Sequence, residues 1–129
     1  MKEEKQISDL VTKYCETIAT QNINEFASLW SEQKENMLIS LTTLYIGTKA
    51  ICDDFLIGAI HQAYETIELI ADDIQIRMIE KDVAIVVFKY HTECICRKTK
   101  EPYGICGLET QVVVKENGQW KFVQIHYSK

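Results

Sequence analysis

The chain has 129 residues, 47% hydrophobic and 26% charged, with a formal net charge of −5. That length admits one core and excludes two independent ones. The lysines and arginines form no patch, which excludes a phosphate-backbone partner, since such binding rests on clustered cations. The polar beginning leads into no continuous apolar run, so neither a signal peptide nor a membrane span is expected, and a cytoplasmic location is. Five cysteines at irregular spacing read as reduced thiols rather than a disulfide framework. Cys94-Ile95-Cys96 has no second pair at zinc-site spacing, so no metal and no cofactor is expected.

Apolar residues at Ile7, Leu10, Val11, Tyr14, Cys15 and Ile18 recur every three or four positions and predict a first helix with one face on the core. Asn24 reads as the N-cap of a short second helix that turns Phe26, Leu29 and Trp30 inward and ends at Trp30. Met37-Leu-Ile-Ser-Leu41 reads as a strand. Gly47-Thr48 then opens a third helix that buries Ile51, Phe55, Leu56, Ala59 and Ile60. Four long strands follow, at about residues 67–79, 83–97, 103–115 and 119–128, rich in β-branched and aromatic types. Pro102 is placed in a hairpin turn. Helices first and a meander after make a single α+β domain over residues 1–129.

Asn117-Gly118 predicts a two-residue type I′ turn, because both residue types tolerate the positive φ it needs. Pairing Glu116 with Gln119 sets Val112 opposite Val123, Thr110 opposite Ile125 and Glu109 opposite His126. Keeping apolar with apolar in the other hairpins gives an inner face of Ile74, Ile76, Met78, Ala84, Val86, Phe88, Leu108, Val112, Val114, Val123 and Ile125. Along that face the lining turns polar, with Asp72, Tyr90, Thr110, Thr92 and Tyr127, then Cys94 and Cys106, where a pocket would begin. The outer face carries Arg77, Lys89, His91, Glu109, Gln111, Gln124 and His126, mixed with Val87, Val113, Trp120 and Phe122. It is too apolar to stay bare and too polar for a core, so a second subunit is its expected cover.

Glu109-Thr110, followed ten residues after the threonine by Trp120-Lys-Phe-Val-Gln-Ile-His126-Tyr-Ser128, resembles the ending of the association domain of calcium/calmodulin-dependent protein kinase II. That domain belongs to the NTF2-like superfamily, which also holds the SnoaL-like polyketide cyclases. The Gly118-Gln-Trp120 turn and the Asp82-Val-Ala84 strand start share the likeness. The resemblance implies a cone: three N-terminal helices packed on a strongly curved antiparallel sheet, a pocket between them, and two chains paired through their sheets. The kinase domain lines its pocket with arginines, whereas the inward positions here hold Tyr90, Thr92, Cys94, Tyr103 and Cys106, which argues against a carboxylate-binding pocket of that kind.

Asp72 is the catalytic candidate, since an acid beside Tyr90 in an apolar pocket can have its pKa raised and act as a general base. Ketosteroid isomerases and polyketide cyclases of the superfamily use carboxylates that way. The competing reading makes Asp72-Asp73 a strand kink with both side chains in water. Tyr14, Trp30, Tyr90, Thr92, Thr110 and Tyr127 are the candidate ligand-binding residues, although Tyr14 and Trp30 also fit plain core. His91, Glu109, Gln111, Trp120, Phe122, Gln124 and His126 are assigned to a homodimer interface, with the His126, Glu109 and His91 row read as an ion-paired cluster rather than a metal site. A parity error of one residue would move that cluster inside and make it the leading catalytic candidate. Two functions remain: a homodimer binding a small, mostly apolar molecule in its cone, or an oligomerisation and interaction module without catalysis.

Overall fold

A computed structural model describes residues 2–129. Helix α1 spans Lys2–Thr20 and buries Ile7, Leu10, Val11, Tyr14 and Ile18, the periodic face expected of it. Gln21 breaks it with a φ of 60°, and the extended Asn22 caps α2, Ile23–Ser28, its side chain accepting from the Glu25 amide at 3.1 Å. The cap is therefore Asn22 and not Asn24, because Asn22 is the residue the turn leaves extended. A third helical segment starts as α3, Thr48–Ala50, and continues as a π-helix over Ile51–His61, burying Ile51, Cys52, Phe55 and Leu56.

Seven strands complete the chain: β1 Met37–Ser40, β2 Thr43–Ile46, β3 Tyr64–Glu80, β4 Val83–Cys96, β5 Pro102–Tyr103, β6 Cys106–Glu116 and β7 Gln119–Ser128. They form one sheet in the order β2-β1-β7-β6-β4-β3, with β5 paired to β4. The sheet is antiparallel except at one junction, where β1 runs parallel to β7. The segment after α2 causes this. Leu29 and Ser31 already bond to Phe122 along β7, so the chain reaches β1 travelling in the same direction as β7. Pro102 lies in β5 rather than in a turn, and Lys100, at φ 63°, makes the bend instead.

Asn117 and Gly118 take φ values of 51° and 79° and form the expected tight turn. The pairing that starts there runs as far as Val113 with Phe122 and then slips by one residue at a β-bulge. Beyond it Val112 faces Gln124, Thr110 faces His126 and Glu109 faces Tyr127. The bulge lets Trp120 and Phe122 point inward together with Ile125 and Tyr127, where uninterrupted alternation would have sent one pair out. On β6 the inward residues are consequently Glu109, Gln111 and Val113, which reverses the expected faces of Leu108, Val112 and Val114. Phe122 closes an aromatic cluster with Tyr14 at 5.3 Å and Trp30 at 5.6 Å between ring centroids.

Gly107 sits where β6 and the end of β7 come closest: a Cβ there would stand 1.9 Å from the Ser128 carbonyl oxygen. That carbonyl accepts the Tyr90 hydroxyl at 2.8 Å. Gly107→Ala must push the two strands apart and should cost about 1–3 kcal/mol, as overpacking of a filled site does. Urea unfolding of the variant checks this, and an unchanged midpoint would show that the strand ends are free to yield.

Candidate functional site

The helices and the curled sheet leave a cavity of about 220 Å³ between them. Tyr14 and Ile18 of α1 and Phe55, Ala59 and Ile60 of the π-helix form one wall, and Tyr64, Ile67 and Leu69 of β3 with Tyr90, Thr92 and Cys94 of β4 form another. Tyr127 of β7 and Glu109 of β6 close the end, and Tyr103, Ile105 and the exposed Lys129 also line it. Two hydroxyls are tied down by the chain itself: Tyr90 donates to Ser128, and Tyr127 shares a hydrogen bond with Ser40. Tyr90 and Tyr127 also meet edge to face, centroids 5.6 Å apart.

Glu109 is the one carboxyl side chain on this wall. It is 2% exposed, and β6 is hydrogen-bonded on both sides, opposite Phe88 of β4 and Tyr127 of β7, so its place is fixed by a central strand. Gln111, two residues on and fully buried, donates its Nε2 to Glu109 Oε2 at 2.7 Å. Loss of water pushes the Glu109 pKa up to about 8, against the lowering effect of the Gln111 hydrogen bond. Among the described residues no cation is bonded to the carboxyl. At pH 7 the protonated form is then favoured. The carboxylate in turn adds to the raised pKa values of its neighbours: burial and then Glu109 lift Tyr14 and Cys15, and burial, Tyr90–Tyr127 proximity and Glu109 hold Tyr90 at about 12.

Residues 7–129 match the sequence profile of the SnoaL-like domain. The chain belongs to that family. Its fold recurs in an NTF2-like superfamily protein from Salmonella enterica serovar Typhimurium, with a TM-score of 0.90 at 21% identity over 96% of this chain and 88% of that one. It recurs also in hexachlorocyclohexane dehydrochlorinase LinA-type3 from Novosphingobium barchaimii, with a TM-score of 0.82 at 14% identity over 97% and 84% of the two chains. A candidate calcium/calmodulin-dependent protein kinase II association domain from Xanthomonas campestris aligns with a TM-score of 0.79 at 17% identity, covering 95% of this chain and 84% of that one. At these identities the likeness is one of fold. No curated protein matches the chain significantly in sequence.

Within this SnoaL-like domain, Tyr14, Tyr90, Thr92 and Tyr127 stand around the cavity. Trp30 does not: it is packed between Phe26 and Phe122 in the core. Thr110 is exposed on the outer face opposite His126. Asp72 also points out, at an irregularity of β3 where Asp73 takes a φ of 52°, and its Oδ2 lies 3.1 Å from His91 Nδ1. With its side chain 53% exposed it has no access to the cavity, and the general-base assignment fails on that placement. Of the residues assigned to a dimer interface, His91, Gln124 and His126 are on the outer face, but Glu109, Gln111, Trp120 and Phe122 are inside the cone. Trp120 is covered by its own chain, donating Nε1 to Glu3 of α1 at 3.0 Å, with Lys115 bonded to the same carboxylate at 2.9 Å. The row of His126, Glu109 and His91 thus splits, the acid turning in and both imidazoles out. Among the described residues no three His, Cys, Asp or Glu side chains are placed to hold a metal ion.

The raised Glu109 pKa makes a stability prediction. Between the ordinary value of 4.5 and about 8, the folded chain keeps a proton that the unfolded chain releases. Stability from this group therefore falls as pH rises across that window. Glu109→Gln should remove the fall, so that the urea midpoints of wild type and variant diverge between pH 5 and pH 8 in favour of the variant. Parallel pH profiles would mean that Glu109 titrates as an ordinary acid.

Proposed function

We propose that this SnoaL-like domain binds a small, mostly apolar molecule in its cone, with the buried Glu109 as its polar anchor, and does so as a homodimer. The observation that carries the reading is a buried carboxyl, bonded to no cation among the described residues, in a cavity walled mostly by aromatic and aliphatic side chains. A group left this way costs stability, and a chain that keeps it gains something from it elsewhere. The cavity favours this reading over an interaction module whose pocket is vestigial, since Phe55, Tyr90 and Tyr127 wall the space without filling it.

A pKa near neutral also suits a group that takes up and returns a proton. A neighbour named as a dehydrochlorinase shares the fold. Removal of hydrogen chloride from a carbon skeleton needs a proton acceptor, and Glu109 is the one carboxylate in this cavity that can fill that role. Acid–base catalysis by Glu109 is the enzymatic form of the same reading, and it replaces Asp72 in that role.

Support for the dimer comes from the outer sheet face. Ile85 and Val87 of β4 alternate outward, paired with Val112 and Thr110 of β6, and Leu108 beside them is 54% exposed. An apolar strip flanked by Lys89, His91, Gln124 and His126 has the composition of an interface with a polar rim.

Native mass spectrometry of the purified protein tests both parts. The expected species is a dimer with bound mass that disappears on denaturation and is absent from Glu109→Gln. Val87→Asp combined with Leu108→Asp should give folded monomers. A dimer that never carries extra mass in several preparations would overturn the ligand reading, and a doubly substituted chain that stays dimeric would overturn the sheet-face interface.

A further inference from the structure

The chemistry of the cavity wall narrows the ligand class, given the small-molecule reading above. Three features bear on it. The polar anchor is an acid, which offers an anionic ligand no opposite charge in either protonation state. Its surroundings are the aromatic rings of Tyr14, Phe55, Tyr64, Tyr90 and Tyr127, and a cation over the face of such a ring is attracted by its quadrupole. Among the described residues no cation is bonded to the carboxyl, Lys129 lining only the exposed rim, and the net charge of −5 draws cations toward the chain. The geometry points to a ligand that carries a protonated amine on an apolar body: the ammonium pairs with Glu109 and the body packs against the aromatic walls.

A neutral alcohol or ketone would use the site differently. A glutamine at position 109 would offer such a ligand a donor and an acceptor, as the protonated glutamate does, and Gln111 alongside already offers an amide. What glutamate adds is a charge, and a charge in a dry cavity is worth most against an opposite one.

The groups that face Glu109 set how binding depends on pH. Tyr14 and Cys15 come from α1, Tyr90 from β4, Tyr127 from β7 and Gln111 from β6 itself, and Lys129 stands at the exposed rim. Burial first, and nearby negative charge with it, raises the Cys15 thiol and the Tyr90 and Tyr127 phenols to about 12 and lifts Tyr14 well above its ordinary value, so they stay neutral at physiological pH. Glu109 is then the group that changes charge when an ammonium arrives. The empty site holds its proton; the ammonium keeps its own, and the Glu109 proton leaves to solvent. Binding at pH 7 should release close to one proton, and affinity should rise about tenfold per pH unit between pH 6 and 7, levelling near the Glu109 pKa.

Titration calorimetry with three amines, benzylamine, phenethylamine and cyclohexylamine, each against its alcohol counterpart, tests this in two buffers of different ionisation heat. The expected result is that at least one amine binds more tightly than its alcohol, releases about one proton at pH 7, and loses at least tenfold in affinity in Glu109→Gln while the alcohol is unaffected. Proton release is read on the wild-type protein, so the test stands whatever the variant's stability. Alcohols that bind as well as the amines, with no proton released, would overturn the amine class and leave the cavity reading intact. If no member of either series enters the wild-type cavity, both readings fall.

Discussion

One unpaired residue in the last strand organises this cone. Between Phe122 and Ile125 the strand carries a bulge, and through it two aromatic and aliphatic pairs, Trp120 with Phe122 and Ile125 with Tyr127, can all face the helices. Strand β6, hydrogen-bonded between β4 and β7, has no such slack. Its strict alternation follows from the turn at Asn117-Gly118, so once Val113 is matched to Phe122 inside, Gln111 and Glu109 go inside with it. The carboxyl in the cavity is thus a consequence of register, and the surrounding aromatic shell is what makes it dry.

The helical segments, the long strands, the tight turn and the family were legible in the chain, because each depends on local signals or on a short shared motif, whereas the short β2 and the separation of β5 from β6 were not. The apolar face of α1 is periodic, Asn-Gly selects one turn, and the ending from Trp120 to Ser128 is distinctive. What could not be read was parity. Val112 and Val114 are more apolar than Glu109 and Gln111, so any rule that sends the apolar set inward chooses the wrong face of β6. The bulge that resolves the conflict leaves no mark in residue type, since Val123 and Gln124 are ordinary strand residues. The sequence did carry a warning, in that Trp120 and Phe122 fell on the outer face, where two large aromatics needed a second subunit to cover them.

The misread face of β6 fell at the candidate site and took Glu109, Gln111, Trp120 and Phe122 out of the expected interface. Local rules conflict with the fold where a chain keeps a costly group for a purpose. Asp72 shows the opposite: placed at a kinked stretch of β3 next to Asp73 with its positive φ, it meets water and His91 and needs no functional account. Tyr90 and Tyr127 illustrate how the two demands are combined, their rings walling the cavity while their hydroxyls brace the ends of β1 and β7.

The claim on which the account rests is that Glu109 is buried and neutral in the folded protein at pH 7. Carbon-13 NMR of the glutamate side-chain carboxyls, with Glu109 assigned by its loss in Glu109→Gln, measures this directly. The account predicts that this resonance titrates at about 8, well above the ordinary carboxylate range. A Glu109 resonance that titrates with the rest would contradict it, and would place the carboxyl in water rather than in the cone.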